Sequence, residues 1–290
     1  MMPLLTLTIG ASCISFAAVF VKLLGGRGME PTVIGFWRTF LGAVILFAWA
    51  ALRRERLTLP GSVMGWSALA GFVFFLDLFF WHRSILYAGA GMATILANTQ
   101  VFTTAILSLL IFKERLSLRF FVAIVSAIAG VALLIGWGSG IVFTARYLNG
   151  VIYGLLTGIV YAGYIVILKN AGQHAQKPGF LTLMAFTSLF SALFLGLAGL
   201  LEKASLAPPD WLSVLWLVIL ALVAQAWGWR AIAGALPRIE ASRAGLVLLL
   251  QPVLATVWGV ILFHEYLTSV QIIGAVITLT AIYAGSVRRR

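Results

Sequence analysis

A chain of 290 residues that is 62% hydrophobic and only 10% charged, with a mean hydropathy of +1.08, is unlike a soluble domain, in which about a quarter of residues carry charge. The net charge of +12 does not indicate nucleic acid, because no basic stretch has the length or aromatic interleaving of a binding groove. Cys13 is the only cysteine, which excludes disulfides within the chain and argues against redox chemistry.

Crossing about 30 Å of hydrocarbon takes about 20 apolar residues, so this length holds about ten crossings and no soluble domain. Apolar runs between charges and turn residues predict ten helices, near residues 3–24, 32–52, 62–84, 91–112, 118–137, 148–169, 179–201, 211–235, 241–263 and 268–287. The first run has neither a preceding basic region nor an A-x-A-like cleavage site and is expected to be a retained helix. With a cytoplasmic N-terminus, fourteen Lys and Arg fall in the inside loops and ends, against five outside: Lys22, Arg27, Arg83, Arg146 and Lys203. That bias predicts that both termini are cytoplasmic.

The second run contains Arg38 in "GFWRTFLG", and the third contains Asp77 in "FFLDLFFWHR". A carboxylate inside a span needs a named partner. Arg38 and Asp77 fall at matching depths on antiparallel neighbours, which predicts an ion pair near the outer end of a cavity. Its role is either a structural staple or proton and substrate handling.

The fourth run holds Asn98, Thr99 and Gln100, and closes on Lys113-Glu114-Arg115. The sixth opens with Gly150, Gly154 and Gly158, two G-x-x-x-G steps that suit close packing within the chain or dimerisation. The eighth carries Gln225 beside Trp227 and Trp229. In the ninth, Gln251 and Glu265 recur at the spacing of Gln100 and Glu114. Both glutamates are read as caps or loop anchors.

This recurrence extends further. At an offset of 147, Lys22 falls on Lys169 and Arg83 on Arg230; after an insertion near Pro237–Glu240 the offset is 151. Two five-helix halves are implied, residues 1–140 and 147–287. An odd helix number turns the second half upside down, and the "KER" of the inside loop becomes "HEY" outside, losing both cations as the positive-inside rule requires.

Gln100 and Gln251 thereby fall near the midplane. An unpartnered amide in hydrocarbon costs several kcal/mol, so they face protein or a wet cavity, as solute ligands or as glue between helices. Phe79, Tyr161, Tyr164, Gln225 and Trp227 are further candidates for a cavity wall, since aromatics around a few polar groups suit an amphipathic solute. Catalytic motifs are missing: His82, His174 and His264 lie at or near span ends, and no H-E-x-x-H, G-x-S-x-G or Walker loop occurs.

The "WRTFLGA" of the second run, the stretch from Ala90 through Gln100 to "LLIFKERLS" and its second copy "QPVLATVWGVILFHEYLTSVQIIGAVI" resemble the drug/metabolite transporter superfamily in its ten-helix, two-EamA-domain form. The first copy has Val101 where the second has Pro252. The resemblance implies a basket of helices around a central cavity and export of amino acids or other small metabolites. Within the superfamily the chain is most similar to the aromatic and broad-specificity amino acid exporters.

The expected protein is therefore an all-α integral membrane transporter of ten helices in two inverted repeats, without a cofactor. It is expected in the bacterial inner membrane, as a monomer or homodimer, exporting amino acids by alternating access. Asp77 is the one proton site the sequence offers. Export of drugs or nucleotide sugars, and a receptor or structural subunit, are the alternatives.

Overall fold

The structure, a computed structural model, describes residues 2–103, 106, 118–138, 142–174, 179–235 and 247–286. The Lys113-Glu114-Arg115 cluster, the insertion at Pro237–Glu240 and the last four residues lie outside the described residues. Every regular element among the described residues is helical. They are α1 (Met2–Gly26), α2 (Pro31–Leu52), α3 (Gly61–Ala88), α4 (Ala90–Ala97), α5 (Leu118–Ile135), α6 (Ala145–His174) and α7 (Phe180–Leu201). Then come α8 (Trp211–Leu220), a π-helical stretch (Ala221–Gly228), α9 (Trp229–Ala235), α10 (Leu250–Phe263) and α11 (Ser269–Ser286).

Among the described residues, five helices are long and apolar enough to cross a membrane by length and composition: Pro3–Gly26, Pro31–Leu52, Gly61–Ala88, Phe180–Leu201 and Trp211–Ile232. Their outer faces carry exposed large apolar side chains, Leu193, Leu197 and Leu200 on α7 and Val214, Leu215 and Val218 on α8 among them. Such surface suits lipid and would be a liability in water.

The ends of several helices follow from local chemistry. Pro31 opens α2 at a position where its missing N–H is not needed. Asp210 caps α8 by accepting the Ser213 N–H at 2.8 Å. The C-termini of α1, α2, α5 and α7 close alike: Met29, Glu55, Trp137 and Ala204 donate back to Leu24, Ala50, Ala132 and Gly199, with Gly28, Arg54, Gly136 and Lys203 at positive φ. At two of these ends a cation holds that position, where it also faces the negative end of the helix dipole.

Several predicted runs differ from what forms. α3 continues to Ala88, past the expected end at 84, because only at Gly89, with φ 101°, does the chain turn. The fourth run is interrupted: α4 stops at Ala97, and Asn98 and Thr99 form a turn before helix resumes at Gln100. The eighth is helical throughout but widens into a π-helix over Ala221–Gly228.

α2 packs on α7, α5 on α11, and α4 on α10. α3 packs on α6 and α7, while α1 packs on α10 and on the α8, π-helical and α9 column. Lipid supplies no hydrophobic drive for helix pairing, so small residues decide close approach. Gly150, Gly154 and Gly158 let α6 lie against Ala88, Leu96 and Thr99 of its own chain, which assigns the glycine stripe to packing within the molecule.

Candidate functional site

Gln225 is fully buried and lies within the π-helical stretch. Such stretches are wider than α-helix and occur disproportionately at functional sites. Gly42 of α2 makes room for it, since a Cβ there would overlap the Gln225 side chain. Gln225 Oε1 accepts from Arg38 Nε at 3.2 Å, and its Nε2 donates to Ser188 Oγ on α7 at 3.0 Å. A polar chain therefore joins α2, the π-helix and α7 within the protein interior.

The other side of Arg38 meets His82. Nδ1 of His82 lies 3.1 Å from the Pro31 carbonyl, which can only accept, so Nδ1 carries the proton. That leaves Nε2 to accept from Arg38 Nη1 at 3.4 Å. Arg38 also lies over the Trp81 ring, 5.6 Å from its centroid. With 2% exposure, its guanidinium is a buried cation held by neutral groups.

The expected Asp77–Arg38 ion pair is not made. Residues 77 and 82 are five apart on α3, a separation of about 7.5 Å along the axis and about 140° around it. The guanidinium is instead engaged by Gln225 and His82, and Asp77 is an electrostatic neighbour that it does not bond. The sequence argument matched depth and could not supply azimuth. Asp77 shares its face with Phe74, which stacks on Tyr164 of α6 at 4.8 Å. Its Oδ1 is buried without a protein hydrogen-bond partner. Its electrostatic neighbours are Arg38, Tyr161 and Tyr164.

Tyr161, Tyr164 and Trp229 form a mutual cluster, with ring centroids 6.0 to 6.3 Å apart. The Tyr164 hydroxyl and Trp229 Nε1 are, like Asp77 Oδ1, buried and unpartnered. Arg38, Gln225, Tyr161 and Tyr164 are therefore brought together, with Asp77 against the tyrosines.

Two other candidates point elsewhere. Trp227 is 53% exposed although Gln225, two residues earlier in the π-helical stretch, is fully buried; the two point to opposite sides of the helix. Phe79 lies beneath Arg83, whose guanidinium is 3.5 Å from its ring centroid. Neither side chain joins the Arg38 cluster.

Gln100, Asn98 and Gln251 are half-buried and lie at or beside breaks in helix. Gln100 follows the turn at Asn98–Thr99, where Asn98 Nδ2 donates to the Thr94 carbonyl at 2.8 Å. Gln251 lies two residues after a turn residue, Leu249, which separates a helical 247–248 from α10. Interrupted helices inside a membrane free backbone groups and are tolerated where protein or a cavity satisfies them.

Among the described residues, three ion pairs gather at one end of the molecule: Lys22 with Glu265, Arg27 with Asp210, and Arg83 with Glu202. Arg83 and Glu202 also share Thr32, at 2.9 and 2.7 Å. Glu265 does anchor its loop, and it also accepts the Ala90 N–H at 3.0 Å, capping α4 from the end of α10. Two depressions of about 500 and 510 Å³ open beside these pairs, sharing Gly25, Leu86 and Arg146. Sequence reasoning missed His82, Ser188, Glu202 and the Lys22 partnership. The polar triplet Thr187, Ser188 and Ser191, buried in an apolar helix, was a readable signal for the second of these.

Comparison with known proteins adds to this geometry. The model of the EamA-like transporter family matches residues 1–136 and again 148–286. A "Probable amino-acid metabolite efflux pump" of Salmonella typhimurium is 29% identical over 91% of this chain and 88% of its own length. A protein of the same description from Escherichia coli is 28% identical over 67% of this chain and 66% of its own. One crystal structure superposes with a TM-score of 0.69 over 98% of both chains at 17% identity, a likeness of fold.

Proposed function

The chain belongs to the EamA-like transporter family, and from that premise we propose that it exports amino acids across the bacterial inner membrane by alternating access. It is a multi-pass membrane transporter and not an enzyme. The substrate class is supported by the relatives described as amino-acid metabolite efflux pumps.

The observation that carries the mechanism is the packing pattern. Count the columns as spans 1 to 10, with α8, the π-helix and α9 together as span 8. The contacts 2 with 7, 4 with 9 and 5 with 10 are unchanged when the halves are exchanged. The same exchange turns 3 with 6 into 8 with 1, 3 with 7 into 8 with 2, and 4 with 6 into 9 with 1, all of which occur. This supports two inverted halves, 1–140 and 147–287, that rock about a shared axis, as does the family model matching twice. The helix breaks before Gln100 and Gln251 fit the same scheme, with these residues and Asn98 lining one part of the pathway. Arg38, Asp77, Gln225, Tyr161 and Tyr164 form its buried polar centre.

The ion-paired end is the outer face in this reading. Three of the five cations assigned there are paired with acids, which leaves that face near neutrality as the positive-inside rule favours. The test is purified protein in liposomes, followed by uptake of a labelled amino acid panel with and without a pH gradient. Movement above empty vesicles is expected, and its absence for every amino acid removes the substrate assignment. A rate indifferent to the gradient removes Asp77 as a coupling site.

A further inference from the structure

We propose that the buried cluster divides the two charges of a zwitterionic amino acid. Arg38 receives the α-carboxylate, Asp77 the α-ammonium, and Phe74, Tyr161, Tyr164 and Trp229 enclose an apolar or aromatic side chain. This rests on the transport reading above and specifies its substrate.

The first argument is the state of the two charges. Removing an ion from water costs several kcal/mol even after relaxation, and a direct pair is the usual compensation. Here a buried cation and a 7%-exposed carboxylate share one cluster without bonding to each other. A ligand carrying both opposite charges would complete both groups at once.

The second argument is how Arg38 is held. Charge-assisted bonds are typically about 2.7–2.9 Å long. Those of Arg38 are 3.2 Å to an amide oxygen and 3.4 Å to a neutral imidazole, and its Nη2 is engaged by neither. A carboxylate offers the planar, bidentate partner that these neutral groups do not. Gln225 can release Arg38 while retaining Ser188.

The third argument is the company of Asp77. Its Oδ1, the Tyr164 hydroxyl and Trp229 Nε1 are three buried polar atoms without partners around one aromatic cluster. Native interiors leave few such atoms, and each calls for a cause. Stacked Phe74 and Tyr164, with Trp229 edge-on to Tyr164, present ring faces to an apolar side chain and favour a cation nearby.

The experiment is binding to the purified full-length protein, read by tryptophan fluorescence and by thermal shift, with three probes of one shape. Phenylalanine has both charges, phenylethylamine lacks the carboxylate, and 3-phenylpropionate lacks the amine. Wild-type protein is expected to bind phenylalanine at least tenfold more tightly than either analogue. Arg38→Gln should reduce phenylalanine to the level of phenylethylamine and leave that amine unaffected; Asp77→Asn should reduce it to the level of 3-phenylpropionate. Phenylethylamine binding wild type as well as phenylalanine overturns the role of Arg38, and equal binding of 3-phenylpropionate overturns that of Asp77. No binding of phenylalanine overturns the site altogether. The wild-type comparison needs no variant to fold. Uptake of other amino acids into liposomes would then leave the transport reading standing while this site fails.

Discussion

Gln225 stands between Arg38 and Ser188, accepting from the guanidinium at 3.2 Å and donating to the hydroxyl at 3.0 Å. One amide thus ties α2 to α7 through the π-helical stretch, and it does so with groups that are all at most 2% exposed. Gln225→Leu keeps most of the volume but strips Arg38 of a partner, which should cost about 1–3 kcal/mol. Gln225→Glu should behave oppositely, since a carboxylate in that place pairs with Arg38. The expected outcome is a melting temperature in detergent that falls for Gln225→Leu and holds or rises for Gln225→Glu, with transport lost in both. Active Gln225→Glu protein would show that Arg38 need not be free to meet a solute.

Glu265 has two tasks, the ion pair with Lys22 and the cap on Ala90 N–H, and two variants separate them. Glu265→Gln keeps an acceptor for the cap, whereas Glu265→Ala removes both. Side-chain exposures of 26% for Lys22 and 17% for Glu265 leave the pair partly screened, so its loss should be modest, within about 1 kcal/mol. Losing the cap as well should cost about 1 kcal/mol more. Because the pair ties α1 to the loop after α10 at the end proposed to face outward, Glu265→Gln should also ease opening there. A cysteine placed at Leu86, in the adjoining depression, should then react faster with an impermeant thiol reagent than in the parent.

Composition and the spacing of the apolar runs were enough to read a multi-pass helical membrane protein, because hydrocarbon forces every spanning segment to be long, apolar and internally bonded; the transporter reading came from the resemblance. Less legible were features that depend on rotation about a helix axis. Depth is linear in sequence, so Arg38 and Asp77 were matched in height; azimuth depends on neighbours, so their true partners were not. Trp227 shows the same limit, lying two residues from a buried glutamine and on the opposite, exposed face. The ion pairs of Lys22, Arg27 and Arg83 reach across 243, 183 and 119 residues, which no local pattern announces. Gln225 stands out in the sequence because an amide among apolar residues is conspicuous wherever it points, and it is buried.

The glycine stripe of α6 offers a graded test of packing. A Cβ on Gly154 would lie 2.8 Å from Leu96 Cδ1 and 2.9 Å from both Leu96 Cβ and Ser84 Oγ, and turning the leucine end away does not relieve the contact with its Cβ. A Cβ on Gly158 would lie 2.6 Å from Thr99 Oγ1 and 3.2 Å from the Leu96 carbonyl, at the break in the fourth run. Gly154→Ala should cost about 1–3 kcal/mol through overpacking, and the bulkier Gly158→Val should cost more. Thermal unfolding of the detergent-solubilised variants gives the order. Equal stability would mean that α6 and the Asn98–Thr99 turn separate more easily than their contact implies.

Asp210 supplies the pH dependence. It lies outside the membrane-crossing segments, where the hydrogen bond from Arg27, followed by that from the Ser213 N–H, holds its carboxyl below the usual carboxylate range. A depressed folded pKa means that the unfolded chain binds the proton first. The stabilisation is therefore fully present above the unfolded value of about 3.9 and is lost as pH falls through the lower folded value. Asp210→Asn keeps an oxygen for the Ser213 N–H and loses the charge facing Arg27. Its melting temperature should lie below that of the parent at neutral pH, and the gap should close below about pH 4. Added salt should narrow the neutral-pH gap as well, because both partners are partly exposed. A gap that persists undiminished in acid would assign the loss to cap geometry instead of charge.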